Sequence, residues 1–300
     1  FLQRLRGFRR GSSGRLGLEW RPDGVAWASC SAQGEVLAGF VEATSAQREE
    51  VLATLAKAQG WGRMALTVVL PPDLYQVFQL EKPPVESAEL ADAVRWKIKD
   101  MLDYPVDEAV LDVYGVPLDA ARGRGELINA VVARKALLRE VIRVCDGVGL
   151  SLQRVDVAEL ALRDLLVRLA QEQRTAGFVY LRQPLSQMVL CRGDVLYLAR
   201  RVDFSATQLA DVAQQENAVQ SLALELQRSL DYFESQLGQI PPRRLMLIAP
   251  EVRVPLAMML NANLAAEVVD LDLRALLGES GTDVRVACAL GAVLAEEAAE

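Results

Sequence analysis

From Arg15 onward, apolar and polar residues alternate with a period of two. Arg15–Trp20, Val25–Cys30 and Glu35–Val41 therefore read as three short strands, with hairpin turns at Asp23-Gly24 and Gln33-Gly34. The period then lengthens. Val51, Leu52 and Leu55 share one face of a helix from about Ala46 to Ala58, with Ser45 placed as its N-cap. The unbroken apolar run Met64–Leu70 predicts a buried strand, ended by Pro71-Pro72.

A portion with its own rhythm follows. Leu74–Leu80 reads as a strand stopped by Pro83-Pro84, and Leu90, Val94, Ile98 and Met101 mark a helix over Ser87–Leu102. Ala109–Val116 and Glu126–Ala133 read as strands joined by the polar stretch Asp119–Gly125, and Lys135–Val148 as a helix ending at Gly149. Residues 73–148 thus form a compact inserted subdomain. Leu152–Val155 is a strand running into a helix over Val157–Glu172, where Asp156 and Glu159 fit the N-cap and N3 positions of a capping box.

The pattern then begins again. Phe178–Leu181, Gln187–Cys191 and Val195–Val202 are three short strands. A helical stretch covers about Ala206–Leu237, and Arg244–Ile248, Pro255–Leu264, Ala266–Val269 and Val284–Glu297 read as strand, helix, strand and helix. Gly34-Glu35-Val36-Leu37 and Gly193-Asp194-Val195-Leu196 occupy the same turn of each copy. The expected architecture is α/β, a duplicated actin-like (RNase H-like) fold. Residues 15–72 and 149–175 make the first lobe, carrying the insert. Residues 176–300 make the second, with a reduced helical cap at about 204–237. Residues 1–14 form a basic tail.

Composition narrows the chemistry. The 300 residues are 51% hydrophobic and 24% charged, which fits a folded globular chain of about two lobes. The net charge of −7 argues against nucleic acid as a partner. There is no histidine, which excludes Ser-His-Asp and Cys-His catalysis and most mixed zinc sites. Cys30, Cys145, Cys191 and Cys288 are scattered among apolar neighbours without a CxxC pair, and read as buried small hydrophobes. No apolar run approaches the roughly 20 residues a bilayer span needs. The decapeptide FLQRLRGFRR interleaves four arginines with phenylalanine and leucine, a pattern suited to weak contact with anionic lipid through residues 1–10. The chain opens at Phe1 rather than Met, which points to a missing N-terminal piece.

A duplicated fold of this kind usually holds a nucleotide between its lobes, on glycine-bearing hairpin turns with a carboxylate to arrange magnesium. The first bend here reads Leu18-Glu19-Trp20-Arg21-Pro22-Asp23-Gly24. Glu19 could imitate the acid, but Trp20 and Arg21 are bulky and Pro22 has no N–H. The second reads Val179-Tyr180-Leu181-Arg182-Gln183-Pro184, without acid or glycine. The turn after Leu247-Ile248 is Ala249-Pro250. The residues of a degenerate cleft are therefore Glu19, Arg21, Asp23, Asp156, Arg182 and Ala249. The alternative is an active ATPase holding Mg-ATP through Glu19, Asp23 or Asp156. The bends disfavour ATP and magnesium, and no other cofactor, metal or catalytic residue is expected.

An ordered series of segments resembles the PilM family of type IV pilus assembly proteins, in particular its MshI branch from the mannose-sensitive haemagglutinin (MSHA) pilus system. The series is Val69-Leu70-Pro71, Ala93-Val94-Arg95-Trp96 with Tyr104-Pro105-Val106, Val110-Leu111-Asp112, Val131-Val132-Ala133-Arg134-Lys135, Gly149-Leu150 leading to Val155–Leu162, and Leu226–Phe233. The type II secretion protein GspL and the cell-division protein FtsA are more distantly similar. The resemblance implies a cytoplasmic, actin-like scaffold recruited to the bacterial inner membrane. It would grip the short cytoplasmic tail of a PilN-like single-span protein, among other platform proteins. PilM proteins also bind ATP, and here this chain departs from the family, as it does in its short Phe204–Leu224 stretch. The family's tail groove lies between the first lobe and the insert. Trp96, Met101, Tyr104, Pro105, Val106, Leu111 and Val113 are its expected lining.

Overall fold

The computed structural model describes residues 14–121, 125–169, 174–204, 206–209, 212–278 and 283–295. The basic tail expected over residues 1–14 lies, apart from Gly14, outside them. Strands β1 (Gly14–Trp20), β2 (Gly24–Ser31) and β3 (Val36–Glu42) form an antiparallel meander. Helix α1 (Arg48–Gln59) leads to β4 (Ala65–Leu70), which runs parallel to β1. Ser45 does not cap α1. The Gln47 side chain instead accepts hydrogen bonds from Thr44 N and Oγ1 (3.1 and 2.9 Å), moving the helix start to Arg48.

The insert begins with β5 (Tyr75–Glu81) and continues through α2 (Leu90–Ile98), β6 (Ala109–Gly115), the short α3 (Leu118–Ala121) and β7 (Leu127–Arg134). Its sheet has the order β5-β7-β6 and is antiparallel. Alternation assigns its two faces: Ile128, Ala130 and Val132 pack with Val94 and Ile98 of α2. Tyr75, Val131 and Ala133 turn the other way and join the first-lobe core. α2 ends earlier than the periodicity predicts, because Lys99–Met101 tighten into a 3₁₀ turn that carries Met101 out to solvent.

Helix α4 (Lys135–Gly147) buries Leu138, Val141, Val144 and Cys145 against the first-lobe core rather than the insert's own. β8 (Ser151–Val157) completes the first sheet, in the order β3-β2-β1-β4-β8, and leads into α5 (Ala158–Leu169).

The second lobe repeats the plan with β9 (Thr175–Tyr180), β10 (Ser186–Arg192), β11 (Val195–Val202), α6 (Gln215–Ser235), β12 (Arg244–Ile248), α7 (Leu256–Asn261) and β13 (Glu267–Asp270). Its sheet order, β11-β10-β9-β12-β13, is that of the first sheet element for element. The matching turns use Gly34 and Gly193 at φ +85° and +61°, where a side chain would be strained. The single helical stretch expected over Ala206–Leu237 is divided. A 3₁₀ turn at Ala206–Leu209 precedes α6, and Val212 is left 83% exposed between them, which interrupts the apolar stripe.

After the short α8 (Arg274–Leu277) comes α9 (Ala287–Leu294), of sequence ACALGAVL and buried all round. Chain order puts α9 with the second lobe, but it packs on β1, β2 and β4 of the first and crosses α5. The crossing is close: a Cβ on Gly291 would stand 1.8 Å from the Ala161 carbonyl oxygen. α5 and α9 share one apolar cluster with residues of both sheets, including Ala28, Val69, Phe178 and Val189.

Candidate functional site

The bends after β1 and β9 meet between the lobes, where sequence analysis placed the degenerate nucleotide cleft. Glu19 ends β1 with its carboxylate buried, paired to Arg182 of the opposite lobe at 2.5 Å and to Arg21 at 3.6 Å. Arg21 holds Asp23 through two bonds of 2.7 and 2.8 Å and donates to Tyr180 Oη across the lobes at 2.8 Å. The Arg182 guanidinium sits over the Tyr180 ring, 3.8 Å from its centre, and donates to Cys288 Sγ of α9 at 3.4 Å. Arg48 stacks over Trp20 at 4.4 Å and donates to the Arg21 carbonyl at 2.6 Å.

Two acids and two guanidinium groups thus neutralise one another at the two bends. Burial works against charge on both arginines, yet Tyr180 and Glu19 beside Arg21, and Glu19 beside Arg182, leave their pKa values raised. Burial likewise opposes ionisation of Asp23, and Arg21 outweighs it, so the Asp23 carboxyl lies below its ordinary value.

Asp156 and Glu19 both register with Val69 from opposite sides, two strands apart. The Asp156 carboxylate is engaged by Arg154 at 2.9 Å and by the Val157 N–H at 2.8 Å. Ala249 follows β12, its carbonyl accepting from Val252 N at 3.2 Å. Among the described residues, no group of three or more acidic or cysteine side chains is arranged to hold a metal ion. All four cysteines are buried and unbridged, and burial pushes the Cys145 and Cys191 thiols up to about 12.

Glu159 is not the N3 partner of a capping box. Only 1% exposed, it accepts hydrogen bonds from Tyr75 Oη at the start of the insert and from Gln187 Nε2 of the second lobe at 3.2 Å. Burial raises its pKa despite these donors. Three parts of the chain therefore converge on one carboxyl group.

The seven residues expected to line a tail groove fall in three settings. Trp96 on α2 is 71% exposed, with Lys99 Nζ 4.7 Å over its ring, and Met101 and Pro105 are also exposed. Tyr104, Val106 and Val113 are half-buried. The Tyr104 ring carries the Arg134 guanidinium at 3.9 Å, and Arg95 donates to the carbonyls of Val106 and Ala109 at 3.1 and 3.3 Å. Leu111 is buried in the insert core with Val94 and Ile98, so its side chain faces α2 and not solvent.

Met101 also borders a cavity of about 420 Å³ between the insert and the second lobe. Its floor is Glu159, Tyr75 and Gln187, and its walls come from β5 and β11. Arg201 of β11 donates to the carbonyls of Pro72 and Tyr75 at 2.9 and 2.8 Å, fastening the two sides together.

No protein-family model matches the sequence, and no curated protein does. Solved structures match it over nearly its whole length. The PilM-PilN type IV pilus biogenesis complex contains a chain with 22% identity and a TM-score of 0.69, covering 96% of this chain and 100% of that one. The cytoplasmic domain of EpsL, an inner-membrane component of the type II secretion system of Vibrio cholerae, gives 16% identity and 0.58, covering 95% and 97%. A protein of actin-like ATPase fold from Bacteroides thetaiotaomicron gives 9% and 0.52, covering 89% and 94%. The chain has the actin-like fold, and at these identities the likeness establishes the fold alone.

Proposed function

We propose that this protein is a scaffold of a type IV pilus assembly platform of the MSHA kind, an MshI-like relative of PilM. It works at the cytoplasmic face of the bacterial inner membrane without hydrolysing ATP. In this reading it grips the short cytoplasmic tail of a PilN-like single-span protein, and the insert supplies the grip.

The observation that carries the reading is the filled cleft. Arg21, Glu19 and Arg182 occupy the bends with compensated charge, and side chains join the lobes there. A triphosphate would have to displace a buried ion network and leave Glu19 facing like charge, which costs several kcal/mol. The insert meanwhile leaves Trp96 and Met101 in solvent, large apolar side chains of the kind that anchor protein interfaces. The tail-binding half of the proposal draws on the fold shared with PilM in its complex with PilN.

The test is calorimetric titration of a synthetic PilN-like N-terminal tail peptide, with and without Mg-ATP. Saturable binding of equal affinity in both conditions is expected. Absence of binding overturns the scaffold reading, and dependence on Mg-ATP overturns its nucleotide-free form.

A further inference from the structure

We infer that α3 is a latch. It pins the tip of the insert to the second lobe through Asp119 and releases locally, parting the two at one end of the cavity while the rest of the molecule stays folded. The inference goes beyond the scaffold reading, since it concerns how the insert is held and not what the protein binds.

The insert is fastened to the body at two ends. At its root, Tyr75, Val131 and Ala133 are buried in the first-lobe core, and Arg201 of β11 donates to the Pro72 and Tyr75 carbonyls. At its tip, the chain leaves β6, passes Pro117 and makes the single turn of α3. Ala120 of that turn is 1% exposed and belongs to the apolar cluster of the second lobe, with Phe233 and Leu237. Val116 packs against the same cluster. Asp119 accepts from Tyr197 Oη at 2.9 Å and from Gln239 Nε2 at 3.2 Å, and Arg192 donates to Gln239 Oε1 at 2.9 Å. Tyr197 is itself specially placed. β10 pairs Leu190 with Leu198 but Cys191 with Leu196, so Tyr197 is the extra residue of a β-bulge. A bulge disrupts the ladder and re-aims a side chain, and here the side chain is the one that holds Asp119.

The tip is the end that yields. α3 buries only the small side chains Ala120 and Ala121, where the root buries tyrosine and valine, and stabilisation scales with the apolar area removed from water. Leu118 of the same turn is 73% exposed, and the bonds from Tyr197 to Asp119 lie within reach of solvent. Segments with little buried apolar area and exposed hydrogen bonds open at a free energy well below that of global unfolding. Val116, Ala120 and Leu127 line the cavity from the insert, and Tyr197 and Leu237 line it from the second lobe. Parting these two sides therefore opens the cavity at the tip, with Arg201 still closing the root.

The experiment is maleimide labelling of the folded full chain carrying Ala120→Cys, resolved by site with peptide mass spectrometry. Each rate is taken relative to the same thiol in the urea-unfolded protein. Cys145 and Cys191 are internal controls, buried in the first-lobe core and in the cluster beneath both lobes. The introduced thiol should react at least about tenfold faster than either, with little dependence on urea below the unfolding transition, while theirs rises steeply. Adding Asp119→Ala or Tyr197→Phe should speed it by about fivefold or more. Val116→Cys takes the place of Ala120→Cys should that variant fail to fold. Reaction in step with Cys145 and Cys191 would overturn the inference, because the tip would then open only with the whole molecule. Reaction at the rate of a fully exposed thiol would overturn it too, as would indifference to both Asp119→Ala and Tyr197→Phe. The tail titration is read separately, so a peptide that fails to bind removes the scaffold reading and leaves the latch in place.

Discussion

Arg182 and Glu19 are 163 residues apart and nearly solvent-free. A buried pair of this kind contributes little beyond what apolar residues of the same shape would, but removing one member strands the other. Arg182→Ala should therefore lower unfolding free energy by roughly 3–5 kcal/mol, and a Glu19→Leu, Arg182→Met double substitution should recover most of the loss. Denaturant titration of the three proteins checks this. Glu159 gives a prediction in pH. Burial raises its folded pKa above the ordinary value, so its contribution is fully present below the unfolded pKa and is lost as pH rises through the folded one. The stability of the native protein relative to Glu159→Gln should accordingly fall as pH rises from the ordinary glutamate range through the raised folded value, as measured by urea unfolding across a pH series. Its role was not legible in sequence. A glutamate opening a helix after an aspartate looks like a local cap, and nothing local announces partners 84 and 28 residues away. The bends were legible, because bulk at Trp20 and Arg21 and the missing N–H of Pro22 act within a few residues.

At the scale of elements, periodicity identified the longer helices and overran the ends of some. It missed the one-turn helices α3 and α8, which are too short to show a period. α2 and α6 are both shorter than their apolar stripes suggest, since Met101 and Val212 continue the pattern in sequence yet lie in solvent. Whether a residue at the end of a stripe is buried depends on the neighbour that covers it, which the stripe does not encode. Trp96 is the informative case. Being mostly exposed, its replacement by alanine should change stability by no more than about 0.5 kcal/mol. If the insert grips a tail as proposed, the same change should remove tail binding, read by the peptide titration. Gly291 is the opposite case. Gly291→Ala should destabilise the protein by about 1–3 kcal/mol or more, because its Cβ would meet the α5 backbone, and the melting temperature reports it.

For the whole molecule, duplication was readable because element order repeats and the Gly34 and Gly193 turns coincide, as the two equal sheet orders show. What chain order concealed was how the halves interlock. The proposed nucleotide-free scaffold predicts no change of melting temperature with millimolar Mg-ATP. A ligand about a hundredfold above its dissociation constant would add about 2.7 kcal/mol, a shift easily seen by calorimetry.

The interlock has a consequence for biogenesis. Strands β1, β2 and β4 gain their covering helix from Ala287–Leu294, downstream of every described strand. A nascent chain halted before residue 287 carries β1, β2 and β4 without that cover, greasy and prone to chaperone capture or clumping. Synthesis through Leu294, rather than completion of either sheet, is thus the event that commits this fold to its native form.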